Sequence, residues 1–293
     1  MGNSRVEWPR ASRALIVAAW AAAGLTIAMA PAGAATIQAD TPPTSSSPAA
    51  QPAATSTLDQ GIAAFEAGKE TEAVALLTPL AEKGDAEAQT YLGWIYEEPP
   101  VKVEPASGQG APPPFLHDNA KARAWYEKAA AQGQAHALNN LGSLYFLGRG
   151  VPKDPAKGLA LFKRAATNGD LQAQKNLAGI YSLGIGTLKD PKEAATWATA
   201  AAQQGDKDAL YHLSTLYDAG EGVPKDGVAA YILLDLSHNT DPDAAALRAR
   251  LEQRLSADER QSAHAMAADW HAGTPLPLPL PLQAHGLLKP AVH

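Results

Sequence analysis

The sequence predicts an all-α chain built as an elongated solenoid of antiparallel helix pairs. Residue columns recur every 36 positions. Within each period the apolar residues fall at helical spacing. The composition is 46% hydrophobic but only 6% aromatic, so small side chains, alanine above all, must fill the contacts between elements.

The period is read directly from the chain. Gly148, Gly184 and Gly220 are 36 apart, as are Gly150, Gly186 and Gly222. Leu141, Leu177 and Leu213, Tyr145, Tyr181 and Tyr217, and Asp154, Asp190 and Asp226 keep the same register. So do Gly133, Gly169 and Gly205, with Ala130, Ala166 and Ala202. A fixed period of 20 to 50 residues marks a repeat array.

Each period reads as two helices. From Ala135, the residues Leu138, Leu141, Leu144 and Tyr145 make one apolar stripe. Gly148 and Gly150 then supply the left-handed turn that ends the helix. Asp154 is an N-cap, and Pro155 fits the first turn, where its missing N–H costs nothing. Leu159, Leu161, Phe162, Ala165 and Ala166 form the second stripe, and Gly169 closes it. In the next period, Asp190 with Glu193 is spaced for a capping box.

The preceding period carries an insertion. Leu92 and Tyr96 lie 49 residues before Leu141 and Tyr145, leaving 13 extra residues in a proline-rich loop at 97–117. Earlier still, Leu58 to Ala67 and Thr71 to Lys83 form a diverged pair. Pro242 to Leu255 and Ser256 to His271 form a last one, with Ser256 and Glu259 spaced as a capping box. The array therefore holds about five to six helix pairs with terminal caps.

The ends read differently. Residues 1–34 have the pattern of a secretory signal: Arg5, Arg10 and Arg13, an uncharged run from Ala14 to Ala30, and Ala32-Gly33-Ala34 before a cut at Ala35. Left uncleaved, the run would anchor the chain to a membrane. Residues 35–56 are a Pro/Ser/Ala linker expected to be disordered. The solenoid occupies 57–273. At 274–293 alternating Pro and Leu end any helix and predict a disordered tail.

The unit A-x-x-x-L-G-x-x-Y-x-x-G-x-G-V-x-x-D, followed by A-A-x-x-G, resembles the Sel1-like repeat, a relative of the tetratricopeptide repeats. Its clearest copy is ALNNLGSLYFLGRGVPKDPAKGLALFKRAATNG, Ala137 to Gly169. Ala178 and Ser214 depart from the glycine of Gly142, and Thr187 from Val151. The stretch YILLDLSHNTDPDAAALRARLEQRLSADE is similar to the way such arrays end in bacterial exported proteins. The resemblance implies a right-handed superhelix whose groove is lined by the first helix of each pair. It also implies an adaptor role in secreted or envelope complexes. A few members are tied to peptidoglycan or β-lactam chemistry, but those resemble disulfide-rich arrays, and this chain has no cysteine.

Composition narrows the function further. Lys and Arg total 24 against 30 Asp and Glu, a net charge of −6, the wrong sign for phosphate neutralisation, so no nucleic-acid partner is expected. Without cysteine there are no disulfides, thiolate metal sites or cysteine nucleophiles. No H-E-x-x-H, G-x-S-x-G or phosphate-binding glycine loop is present. The eight histidines make no i, i+4 pair. No cofactor, metal or catalytic group is expected.

The candidate partner-binding residues precede the repeat leucines. One column holds Tyr91, Asn140, Asn176 and His212; beside it stand Asn139, Lys175 and Tyr211. Amides and aromatic hydroxyls in a row suit the backbone of an extended peptide. In the same positions they can also bridge neighbouring repeats. Lys153, Lys189 and Lys225 make a further row beside the capping aspartates. The sequence thus predicts an exported, periplasmic, non-catalytic scaffold for a protein or peptide partner in the cell envelope. The rival readings are a peptidoglycan or β-lactam enzyme, and a glycan-binding scaffold.

Overall fold

The computed structural model describes residues 56–97 and 118–278. The expected signal peptide, the expected linker up to 55, the insertion beyond Glu97 and the tail from 279 lie outside the described residues. Among the described residues there are twelve α-helices and no strand. They are α1 (Thr57–Glu66), α2 (Glu70–Glu82), α3 (Ala86–Tyr96), α4 (Asn119–Ala131), α5 (Ala135–Leu147) and α6 (Pro155–Thr167), followed by α7 (Leu171–Leu183), α8 (Pro191–Gln203), α9 (Lys207–Ala219), α10 (Gly227–Ser237), α11 (Pro242–Arg254) and α12 (Ala257–Ala268). From α1 to α10 consecutive helices pack as hairpins and each hairpin packs on the next, the architecture of an α-solenoid. The last two helices, α11 and α12, expected as a pair, pack mainly on α10 rather than on each other.

The repeated residues explain why each hairpin forms. Gly148, Gly184 and Gly220 end α5, α7 and α9 with φ of 76°, 69° and 76°, a conformation that a Cβ disfavours. Asp118, Asp154, Asp190 and Asp226 cap the second helices through their side chains. A backbone bond then closes each hairpin: Asp154 N–H donates to Tyr145 O at 2.7 Å, Asp190 to Tyr181 at 2.9 Å and Asp226 to Tyr217 at 3.0 Å. The inserted hairpin closes identically, Asp118 N–H to Tyr96 O at 2.7 Å. The insertion therefore leaves the hairpin's geometry untouched.

Glu193 does not complete the expected capping box. Its carboxylate instead accepts the Trp197 indole N–H at 3.0 Å, one turn along α8. A second capping column is also present: Asp85, Gln134, Asp170 and Asp206 cap the first helices.

The core has two parts. Ala64, Ala73, Leu77, Ala81, Ala88, Leu92 and Ile95 close the first three helices. A longer cluster runs from Ala122 on α4 to Ala263 on α12. Trp94 and Tyr96 pack against both and join them.

Polar stitches add to the apolar contacts between hairpins. Asn168 Nδ2 donates to Gly133 O at 2.9 Å and Gln204 Nε2 to Gly169 O at 3.2 Å, each across one repeat. Gln132 makes the corresponding contact to Gln89 Oε1 at 2.9 Å.

At the carboxyl end, α12 carries the Ser256–Glu259 capping box and stops at Ala268, short of the expected His271. It buries only Ala263, and Met266 on it is exposed, as suits a terminal unit with a polar outer face. Contact with the solenoid continues past the boundary expected at 273. Gly273 N–H donates to Gln203 O at 2.8 Å, Trp270 Nε1 to Pro275 O at 3.1 Å, and Leu276 and Leu278 pack against the core. No helix among the described residues is long and apolar enough to cross a membrane.

Candidate partner-binding face

The first helices α1, α3, α5, α7 and α9 meet their neighbours through one continuous line of side chains. At its start, Phe65 on α1 meets Tyr91 and Trp94 on α3. The Tyr91 and Trp94 ring centroids are 4.7 Å apart and nearly perpendicular, and Phe65 lies 5.6 Å from Tyr91. Trp94 reaches His136 on α5 at 6.3 Å. Burial, then the carboxylates of Glu87 and Glu66, push the Tyr91 hydroxyl up to about 12, so it stays a hydrogen-bond donor at any physiological pH.

The asparagines come next. Asn176 Nδ2 donates to Asn139 Oδ1 at 3.0 Å across one repeat, and Asn139 Nδ2 donates to Asn140 Oδ1 at 3.1 Å. Gln172 Nε2 feeds the chain through Asn176 Oδ1 at 3.1 Å. All three asparagines are buried. His136 Nδ1 lies 2.5 Å from Asp170 Oδ2, the same carboxylate group that caps α7.

Lys175 bridges forward, its ammonium 2.7 Å from Asp206 and 2.9 Å from Asp208. Burial opposes its charge, yet the two carboxylates hold it above its ordinary value. Tyr211 is buried, and burial with Asp243 and Asp241 raises its hydroxyl. His212 Nε2 lies 3.1 Å from Ser182 Oγ of the preceding repeat. Burial lowers its imidazole to about 4, leaving it neutral at pH 7.

The structure thus brings all seven sequence-selected residues onto the first-helix face. The three asparagines, Lys175 and His212 bond to one another or to the adjoining repeat. The positions one turn earlier on the same helices, Glu87, His136, Gln172 and Asp208, are more open: Glu87 and Asp208 are exposed, His136 and Gln172 half-buried. Residues four apart share a helix face, so these are what a partner lying on the line meets first. Gly179 also belongs to this face; a Cβ added there would meet no atom within 4 Å. Sequence reasoning missed Phe65, which lies in the diverged first pair, and the His136–Asp170 pair, whose members lie 34 residues apart. Of the lysine row, Lys189 pairs with Glu221 at 3.1 Å. Among the described residues no group of three or more His, Cys, Asp or Glu is placed to hold a metal.

A chain of near-identical hairpins with one continuous face of polar and aromatic side chains defines a helical repeat scaffold. The Sel1 repeat model matches residues 86–105, 106–134, 135–170, 171–206 and 207–237, and the chain belongs to the Sel1-repeat family. The first two matched segments divide the single α3–α4 hairpin within its insertion. Two solved structures are similar. One is a protective antigen of uropathogenic Escherichia coli with an SLR fold: TM-score 0.57, 28% identity, 72% of this chain and 44% of that one. The other is a Sel1 repeat protein from Oxalobacter formigenes: TM-score 0.55, 28% identity, 72% of this chain and 82% of that one. The chain thus spans less than half of the antigen's length. A comparison with curated proteins gives no match. Sel1-repeat proteins generally mediate protein–protein interaction and are generally non-catalytic.

Proposed function

We propose that this chain is an exported adaptor of the bacterial cell envelope, periplasmic after signal cleavage before Ala35, which holds a protein partner along its first-helix face. The single observation that carries the reading is the line from Phe65 to Asp208 across successive first helices. A partner lying there meets Glu87, His136, Gln172 and Asp208. Tyr91, Asn139, Asn140, Lys175, Asn176, Tyr211 and His212 support that surface from below and hold the repeats in register. The basic, apolar and small-residue sequence of 1–34 supports export.

The test is photo-cross-linking in cells, with the reactive residue placed at Glu87, Gln172 or Asp208, or at Glu127 or Arg164 on second helices. One envelope protein captured from the first three positions and not from the last two is the expected result. Capture from none, or equally from all five, overturns the adaptor reading. Amino-terminal sequencing of the chain recovered by osmotic shock should begin at Ala35; a chain starting at Met1 in the membrane fraction overturns the cleavage.

A further inference from the structure

Beyond the partner-binding face, we infer that the edge formed by the hairpin loops is a docking surface for a bilayer that carries anionic lipid. Its apolar part is Leu147, Leu183, Ile185 and Leu188, and its charged part is the lysines of the same edge.

The loops stack into one edge. Each loop from a first to a second helix rests on the start of the preceding second helix. A Cβ at Gly150 would lie 2.4 Å from Asn119 on α4, one at Gly186 3.1 Å from Pro155 on α6, and one at Gly222 1.9 Å from the Pro191 carbonyl on α8. The Gly186 contact also takes in the Phe146 ring, beside Leu147 in the chain. The ends of α5 and α7 and the loop after α7 are therefore neighbours. Of the five large hydrophobic side chains exposed among the described residues, four fall there: Leu147, Leu183 and Ile185 at 36 to 41%, and Leu188 at 86%. The fifth, Met266, is on α12.

This exposure departs from the repeat. Where one loop has Ile185 and Leu188, the preceding loop has Arg149 and Pro152, and the following loop has Glu221 and Pro224. Val151 and Val223 are buried, whereas Thr187 stands at their position. The apolar residues of the middle loop thus face water instead of the core.

The charge beside them is positive. Lys153, Lys192 and Lys225 are exposed and make no ion pair among the described residues. The nearby carboxylates are engaged. Asp154, Asp190 and Asp226 accept N–H bonds at the helix starts, Glu221 pairs with Lys189 at 3.1 Å, and Glu97 pairs with Arg149 at 2.6 Å. The acidity of the chain does not oppose this edge. Residues 56–97 hold eight Asp and Glu against two Lys, a balance equal to the −6 of the whole chain.

Area decides the occupant. A stable protein interface takes about 800 Å² and roughly 20–30 residues from each side, and four apolar side chains on two neighbouring loops fall well short. A bilayer surface asks for less: apolar side chains that enter the headgroup boundary, with lysines beside them for anionic lipid. Either signal alone holds weakly, and the two together hold stably.

The test uses the mature chain from Ala35, which holds every described helix. It is sedimented with vesicles of three parts phosphatidylcholine to one part phosphatidylglycerol, and with vesicles of phosphatidylcholine alone. The chain has no cysteine, so Leu188→Cys and Met266→Cys each carry a single NBD fluorophore. Binding should be at least tenfold tighter to the anionic vesicles, with a blue shift of the emission at 188 and none at 266. Leu188→Ser should bind at least fivefold more weakly, and Lys153→Glu with Lys225→Glu at least tenfold, both with an unchanged circular dichroism spectrum. No binding, equal binding to the two vesicles, undiminished binding in either variant, or equal shifts from the two labels overturns the inference. So does a 188 label already shifted without vesicles. A shift that grows with protein concentration then assigns the edge to a second copy, and one that disappears on removing residues 102–114 assigns it to the insertion. Vesicle binding needs no protein partner, so its failure leaves the adaptor reading standing, and a failed cross-link leaves the vesicle result standing.

Discussion

Gly93 and Gly142 hold the same repeat position and face a ring across their hairpin: a Cβ would lie 2.3 Å from Tyr126 in the first case and 3.0 Å from Phe162 in the second. One repeat on, Ala178 replaces the glycine and Ala198 stands where the ring was. What reads as sequence drift is volume compensation across the hairpin. Gly93→Ala should therefore destabilise the chain by about 1–3 kcal/mol through overpacking. Gly179→Ala, next door on α7 and facing open space, should stabilise it by about 0.5–1 kcal/mol. Urea unfolding of the two variants checks both signs. His212 gives a pH signature. Its folded value of about 4 lies below the ordinary 6.5, so the unfolded chain takes up a proton that the folded chain refuses. The stability it permits is complete above pH 6.5 and is lost as pH falls toward 4, by no more than about 3 kcal/mol. Thermal melts from pH 7.5 to 4 should show a smaller loss for His212→Gln than for wild type. The columns of candidate residues were legible because they repeat. Their bonds to one another were not, because partners such as Asn139 and Asn176 lie 37 residues apart, and a side chain's direction does not follow from spacing alone.

Among the elements, the hairpin is set by its caps and its closing backbone bond rather than by loop length. Tyr96 and Asp118 close at 2.7 Å across a loop of 97–117, the same distance as Tyr145 and Asp154 across 146–153. Removing residues 102–114 restores the shorter loop length. The loop-closure entropy recovered should raise stability by about 0.9 kcal/mol, with helix content unchanged; circular dichroism and urea unfolding read both. The capping aspartates were legible from their period and, at Asp154 and Asp190, from the following proline. Glu193 was read wrongly because the box spacing says nothing about Trp197, which competes for the same carboxylate one turn later. The stitches of Gln132, Asn168 and Gln204 went unread because Gln and Asn at a helix end look like ordinary polar surface.

For the whole molecule, the hairpins pack on their neighbours and only the segment after α12 is seen to reach further, from Gly273 back to Gln203, so stability is close to a sum of units and interfaces. Excising residues 171–206 joins Asp170 to Lys207 and lets Asp170 cap α9 in place of Asp206. The shortened chain should remain folded and helical, with a lower urea midpoint. A chain that unfolds outright would show the units are not interchangeable. The solenoid itself was legible because its period is written into the chain, whereas the partner's identity is carried by side chains that do not repeat. The chain has no cysteine, and the single methionine among the described residues, Met266, sits exposed on α12. Among the described residues, every packed interior contact is thus free of sulfur. Oxidants that form disulfides or sulfoxides meet no buried target among the described residues, so the stability of the described solenoid should be insensitive to the redox poise of its compartment.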